Sequence, residues 1–238
     1  MEILKPLPFE EAIEAFKGLL PMTADEFYAL TKEARAMAFT VAGVMRMDVL
    51  MDMHTAIEKA ISEGETLADF RNRFDEIIET RGWTAPADMT PWRMETIFRT
   101  NVQTAYSTGR YKQMVDQKDA FPLWEYDAVN DSRTRPSHAA LDGKIFPADH
   151  PFWDTWYPPN GYNCRCGVNP VSKHEAADET IETKDPTNAL IEPIDPVTGE
   201  KMPARQLIPD PGWDHNPAKQ RWQPDLDKYP EELQEQFH

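Results

Sequence analysis

Apolar residues recur at helical spacing through the first third of the chain. Phe9, Ile13, Phe16 and Leu20 lie at i, i+4, i+7 and i+11, and Pro21 closes the run, which predicts a first helix. Thr23 and Glu26 have capping-box spacing and open a second helix. Its stripe reads Phe27, Leu30, Ala34, Met37, Ala38 and Val41, ending near Gly43. A third helix spans Val44 to Ile61, carries Met47, Leu50, Met51, His54, Ile57 and Ile61, and is closed by Gly64. Thr66 precedes a fourth, with Leu67, Phe70, Phe74, Ile77 and Ile78, closed by Gly82. Four helices with short joints predict a bundle or helical arm. Met37, Met45, Met47, Met51 and Met53 are read as fillers of irregular core gaps, and His54 as a satisfied core histidine.

After Pro86 and Pro91 a long helix is predicted from Trp92 to about Lys118. Phe98, Val102, Ala105 and Gly109 form a stripe that starts bulky and ends small, so a strand or turn is expected to approach its end closely. Arg99, Gln103, Tyr106 and Arg110 share a neighbouring face. Arg99 and Arg110 suit a phosphate, a carboxylate or the backbone of an adjacent loop, with Asp131, Asp142 and Glu125 as candidate partners inside the fold. Phe121 to Val129 then changes to alternation, with Leu123, Glu125 and Asp127 on one side and Trp124, Tyr126 and Ala128 on the other. A second strand is expected at Cys164 to Val171, paired with the first.

These elements define an α+β fold: an N-terminal helical bundle or arm, a small β-sheet packed on a long helix, and an extended proline-rich tail. The expected boundaries are 1–88 for the helical region, 89–172 for the core and 173–238 for the tail. The tail has 9 prolines in 66 positions and little periodicity. Trp213, Trp222, Tyr229 and Phe237 are spaced along it as anchors, which favours wrapping over free disorder, and Pro230 to Phe237 reads as a short terminal helix.

Charge narrows the function classes. The net charge is −16, unevenly spread. Residues 1–90 carry 9 basic against 17 acidic groups, residues 91–172 carry 9 against 9, and residues 173–238 carry 7 against 15. An acidic body argues against broad duplex binding, which depends on Lys and Arg at phosphates. A local basic set, Arg99, Arg110, Arg133, Arg135 and Arg165, leaves a nucleic-acid contact in the middle segment open. No apolar run has the length of a membrane span, and MEILKPLPFEEAIEAF is not read as a signal peptide.

The candidate chemistry lies between Asp131 and Val171, which contains both cysteines. Ser132 to Ala140 reads as a short helix with Pro136 early in it, placing His138 and Asp142 on one face, and Gly143 ends it. The Pro158-Pro159-Asn160-Gly161 turn delivers the chain to Asn163-Cys164-Arg165-Cys166. A disulfide between Cys164 and Cys166 would close a small strained ring, so both are read as reduced. On an extended segment i and i+2 face one side. His138, Cys164 and Cys166 then offer three zinc-type ligands, with Asp131, Asp142 or His150 as a fourth. The competing reading makes the cysteines small buried hydrophobes. No catalytic residue is assigned. The alternative function is a metal-dependent nuclease or other hydrolase using His138, Asp131, Asp142 and the Cys164/Cys166 turn.

RTNVQTAYSTGR at 99–110, DSRTRPSHAALDG at 131–143 and WYPPNGYNCRCG at 156–167 resemble the phage Mu F-like family of minor head, or head morphogenesis, proteins. AFTVAG, GWTAP and DPGWDHNPA extend the likeness over most of the chain. The family signature falls on Asp131, Arg133, His138, Gly143, Pro159, Asn163, Cys164, Arg165 and Cys166. The resemblance implies a virion protein of a tailed phage or prophage. It would associate with the portal protein and other head proteins during procapsid assembly in the host cytoplasm. It would then lie in the capsid interior, with DNA as a further partner and no membrane. It does not by itself establish a metal.

Overall fold

The computed structural model describes residues 9–30, 38–85 and 89–219. Helix α1 (Glu10–Lys17) buries Ala12, Ile13 and Phe16. It stops before Leu20, which joins β1 (Leu20–Pro21) and is exposed instead of extending the apolar stripe. The Thr23 and Glu26 capping box forms as expected and starts α2, but that helix runs only Ala24–Ala29 and buries nothing. Residues 31–37, with the Ala34 and Met37 positions of the expected stripe, lie outside the described residues. Ala38 and Phe39 are not helical; they form β2 and pair in parallel with Leu20 and Pro21. With no buried face of its own, α2 has little to prolong it, and Phe39 is buried by the strand pairing.

Helices α3 (Met47–Glu63) and α4 (Leu67–Arg81) end on Gly64 and Gly82, both left-handed, the conformation in which a residue with a Cβ is strained. Thr66 caps α4 through a second box completed by Asp69. Val49, Leu50, Met53, Ile57 and Ile61 of α3 meet Phe70 and Phe74 of α4 and Phe16 of α1 in the first core. His54 bonds the Phe16 carbonyl at 3.2 Å and stacks on the Phe16 ring, so it is a structural histidine. The methionine expectation is corrected: Met53 is buried, whereas Met45, Met47 and Met51 are 55%, 39% and 55% exposed.

Helix α5 (Pro91–Asp116) starts with Pro91 in its first turn, where a missing N–H costs nothing, and Thr90 caps it by accepting from the Arg93 N–H. Its first half, from Met94 to Ala105, faces the first core; Tyr111 and Met114 in its second half face another. The small Gly109 receives neither a strand nor a turn, as expected, but the backbone of α1. A Cβ there would lie 2.7 Å from the Ala12 nitrogen and 2.9 Å from the Phe9 ring.

The second core packs on a three-stranded sheet with order β4-β3-β5. β3 (Leu123–Asp127) pairs antiparallel with β5 (Gly167–Val171), as the alternation predicts. A third strand, β4 (Ile145–Pro147), covers the other edge of β3, and helix α6 (Pro136–Ala139) lies between β3 and β4. Helix α7 (Phe152–Trp156) then contributes Phe152, Trp153 and Trp156, all fully buried with Trp124, Tyr126, Phe146 and Tyr157. Trp153 Nε1 donates to the Pro147 carbonyl at 2.9 Å and Tyr157 Oη to the Ser107 carbonyl at 3.3 Å, whereas the buried Trp124 Nε1 has no hydrogen-bond partner among the described residues. The tail is packed as far as Lys219. It forms the small pair β6 (Leu190–Ile191) and β7 (Arg205–Gln206), buries Leu207, and anchors Asn216 to the Trp153 carbonyl at 2.9 Å. Trp213 meets Tyr162; the other anchors, Trp222, Tyr229 and Phe237, and the terminal helix lie outside the described residues.

The α1–α5 crossing yields a direct test. Gly109→Val adds atoms against backbone, which cannot yield as a flexible side chain does, and should cost about 2 kcal/mol or more. Urea unfolding measures this; an unchanged midpoint would contradict the crossing.

Candidate metal centre

Three chain segments meet beneath the open end of the sheet. β3 leads into the Asn130 turn, α6 presents His138, and residues 163–166 lead into β5. Pairing of Asp127 with Gly167 sets Cys166 beside Val129. Alternation along 164–166 buries both cysteines and turns Arg165 the other way, onto Asp131. His138 Nδ1 lies 3.7 Å from Cys164 Sγ and 3.4 Å from Cys166 Sγ. Zinc with bonds of ~2.3 Å to sulfur and ~2.0–2.1 Å to nitrogen sets tetrahedral N–S edges at about 3.5 Å. The spacing therefore fits three corners of a zinc site, and the cluster is capable of coordinating a metal ion.

Hydrogen bonding and burial shift the two thiols in opposite directions. The Cys164 thiol is pushed down, foremost by hydrogen bonding with Cys166 and then by His138 beside it. Cys166 is pushed up by the same shared proton and by burial, while the Tyr126 hydroxyl and the Val129 backbone act in the opposite direction. A metal ion bound here would take the place of the contested proton. The Tyr126 hydroxyl, itself pushed well up by burial, donates to Asn160 Oδ1 at 3.0 Å. Beside the donors is a small cavity of about 10 Å³, lined also by Asn163, Thr134 and Arg165.

None of the three fourth ligands expected from the sequence reaches the cluster. Asp131 is held by the Arg165 guanidinium at 2.6 and 2.8 Å and accepts from the Arg133 N–H. Asp142 does not share a face with His138; it accepts from the Ala128 N–H at 2.8 Å and from the Asn130 amide, tying the β3 turn. His150 accepts from the Phe152 N–H at 3.1 Å. Among the other signature residues, Gly143 is left-handed at φ 71 and Pro159 follows a cis peptide bond. Gly161 is needed because a Cβ would strike Asp210, which pairs with Arg135 at 2.8 Å. In that turn Asn163, and not Gly161, has positive φ.

The arginine face of α5 is also corrected. Arg99 pairs with Glu95 on its own helix at 2.7 Å. Arg110 donates from Nε to the Val168 carbonyl at 3.1 Å, on the free edge of β5, and borders a cleft of about 320 Å³ with Gln103, Tyr106 and Tyr157. Neither pairs with Asp131, Asp142 or Glu125; the adjacent-backbone alternative holds for Arg110. Sequence reasoning missed β4, α7 and the Thr96–Asn163 contact at 3.1 Å. For β4 and α7, the apolar Ile145-Phe146 and Phe152-Trp153 pairs were the available signal.

An α+β fold with a buried His-Cys-Cys cluster beside a long helix is the class of protein this geometry defines. Residues 51–169 match the model for Phage Mu protein F like protein, and the chain belongs to that family. The matched span starts in α3 and ends in β5, so it includes the whole cluster. The Putative capsid assembly protein F of Escherichia phage Mu is 34% identical over 239 residues, covering 89% of this chain and 54% of that protein. The Mu-like prophage FluMu F protein of Haemophilus influenzae is 36% identical over 190 residues, covering 74% and 46%. An uncharacterized protein of Methanocaldococcus jannaschii is 34% identical over 85 residues, covering 35% of this chain and 12% of its own. The chain thus spans about half the length of the first two. No solved structure matches.

The Asp131–Arg165 pair predicts a pH dependence. Arg165 first, then the Arg133 N–H, hold the Asp131 carboxyl well below the usual carboxylate range. Folding lowers this pKa, so the stabilisation is fully present above the unfolded value of about 3.9 and is lost as pH falls through the folded one. Asp131→Asn should lower the urea midpoint at pH 7, and the gap should narrow progressively below about pH 4. A gap of constant size down to pH 2.5 would contradict the pairing.

Proposed function

We propose that this protein is a minor head component of a Mu-like tailed phage or prophage, docking on the portal and neighbouring head proteins during procapsid assembly. It acts in the host cytoplasm during assembly and then remains in the capsid interior. The observation that carries this reading is the family match across α3 to β5, supported by a relative named as a capsid assembly protein that aligns with 89% of the chain. In this reading residues 1–88 are the helical arm, 89–172 the family core and 173–238 a wrapping tail. The exposed Met45, Met47, Met51 and Trp92 give the front half apolar surface for a protein partner. No described helix is long and apolar enough to cross a membrane.

The role is non-catalytic. A hydrolytic metal needs an open coordination position with room for substrate, and the cavity of about 10 Å³ beside this cluster admits at most a water-sized group. Asp131 and Asp142, the acids of the nuclease alternative, are bound elsewhere. DNA contact has little support, since Arg99, Arg110, Arg133, Arg135 and Arg165 each have a partner within the fold.

Within this assembly role, His138, Cys164 and Cys166 hold zinc as a structural ion; thiolate and imidazole donors suit it. Elemental analysis of the purified protein should find stoichiometric zinc, falling to background in Cys164→Ser and His138→Ala. A folded, metal-free wild type would end the zinc reading.

Co-expression with the portal protein of the same phage or prophage tests the assembly role. The two should co-elute through affinity and size-exclusion steps. Portal eluting alone beside folded, soluble chain would refute it.

A further inference from the structure

Three protein donors leave a zinc site one short, and the acids and histidine expected to complete it face elsewhere. Asn163 offers the missing oxygen. It lines the same small cavity as His138, Cys164 and Cys166, and its Oδ1 is buried with no hydrogen-bond partner. A buried amide oxygen left unsatisfied costs about 1–3 kcal/mol, so this lone pair needs a partner.

The orientation of the amide follows from its neighbours. Thr96 Oγ1 donates its proton to the Trp92 carbonyl at 2.9 Å, one turn back in α5. That hydroxyl can therefore only accept from Asn163, which fixes the amide nitrogen toward α5 at 3.1 Å and the oxygen away from it. Asn163 has φ 56, the left-handed region that asparagine and glycine adopt in turns, and this places its polar group one residue before the first cysteine.

We propose that Asn163 Oδ1 is the fourth metal donor, closing an N,S,S,O tetrahedron with His138 Nδ1 and the two sulfurs. The proposal rests on the zinc reading above and deepens it. A closed four-donor set makes the ion a clamp: it joins α6, the 163–166 segment and, through the Asn163–Thr96 hydrogen bond, the start of α5. It also leaves no position for a reacting water, which separates a structural from a hydrolytic metal.

Cobalt(II) replaces zinc in such sites and reports its ligands through visible absorption. The wild-type chain loaded with cobalt should show the intense bands of a four-coordinate site with thiolate ligands. Asn163→Gly is the informative variant, because glycine accepts the left-handed backbone and the fold is kept. Its cobalt bands should shift, and its zinc affinity should fall at least about tenfold. Asn163→Asp, which restores an oxygen donor, should retain a four-coordinate spectrum and most of the affinity. An Asn163→Gly protein with the wild-type spectrum and wild-type zinc affinity overturns the assignment of Asn163 while leaving the three-donor zinc site standing. A wild-type chain that binds neither metal overturns both.

Discussion

Helix α5 must bury two different faces at its two ends, and the arrangement of the other elements follows from that constraint. Its first half presents Met94, Phe98, Val102 and Ala105 to the helical core, and its second half presents Tyr111 and Met114 to the aromatic one. At ~1.5 Å per residue such a helix is about 39 Å long, enough to reach both. Gly109 marks the crossover, where α1 approaches so closely that its backbone occupies the space of a side chain. The two cores are thereby set against each other by one rigid rod, and an error in the packing of either is transmitted to the other.

Strand register does for the second core what α5 does for the pair. β3 and β5 are paired over five residues, and a slip of one would exchange the buried and exposed sets of both strands. In the observed register Trp124 and Tyr126 point inward, Cys166 meets Val129, and Arg165 reaches Asp131. The cluster therefore depends on pairing that is stabilised mainly by aromatic burial some distance away. A metal ion held by the cluster would add a local constraint at the sheet end where the ladder has finished.

What was legible in the sequence was what local chemistry dictates. Thr23 and Thr66 cap helices, and Gly64 and Gly82 end them, because orphaned N–H and C=O groups need these partners whatever surrounds them. The convergence of His138 with both cysteines was readable from the i, i+2 geometry of an extended segment. The second helix was over-extended because its apolar positions were counted without knowing that Ala38 and Phe39 would be claimed by Leu20 and Pro21. β4 is three residues long and α7 five, too short for periodicity to register. The fourth donor was misjudged for a similar reason. Asp131, Asp142 and His150 are the right residue types, yet the two acids are claimed by tertiary partners and His150 by the nearby Phe152 N–H, which ligand spacing does not show.

The chemistry of the signature residues and the charge of the chain point to one kind of role. Asp131 and Arg165 neutralise each other, Arg135 and Asp210 do the same, and Arg110 is spent on the open edge of β5, where Pro170 also lacks a donor. Residues that in a nuclease would face a phosphodiester here face one another. A net charge of −16 opposes broad, non-specific binding to duplex DNA. With Asp131 held by Arg165 and Asp142 tied to the β3 turn, the acids beside the cluster are committed to the fold and hold its shape.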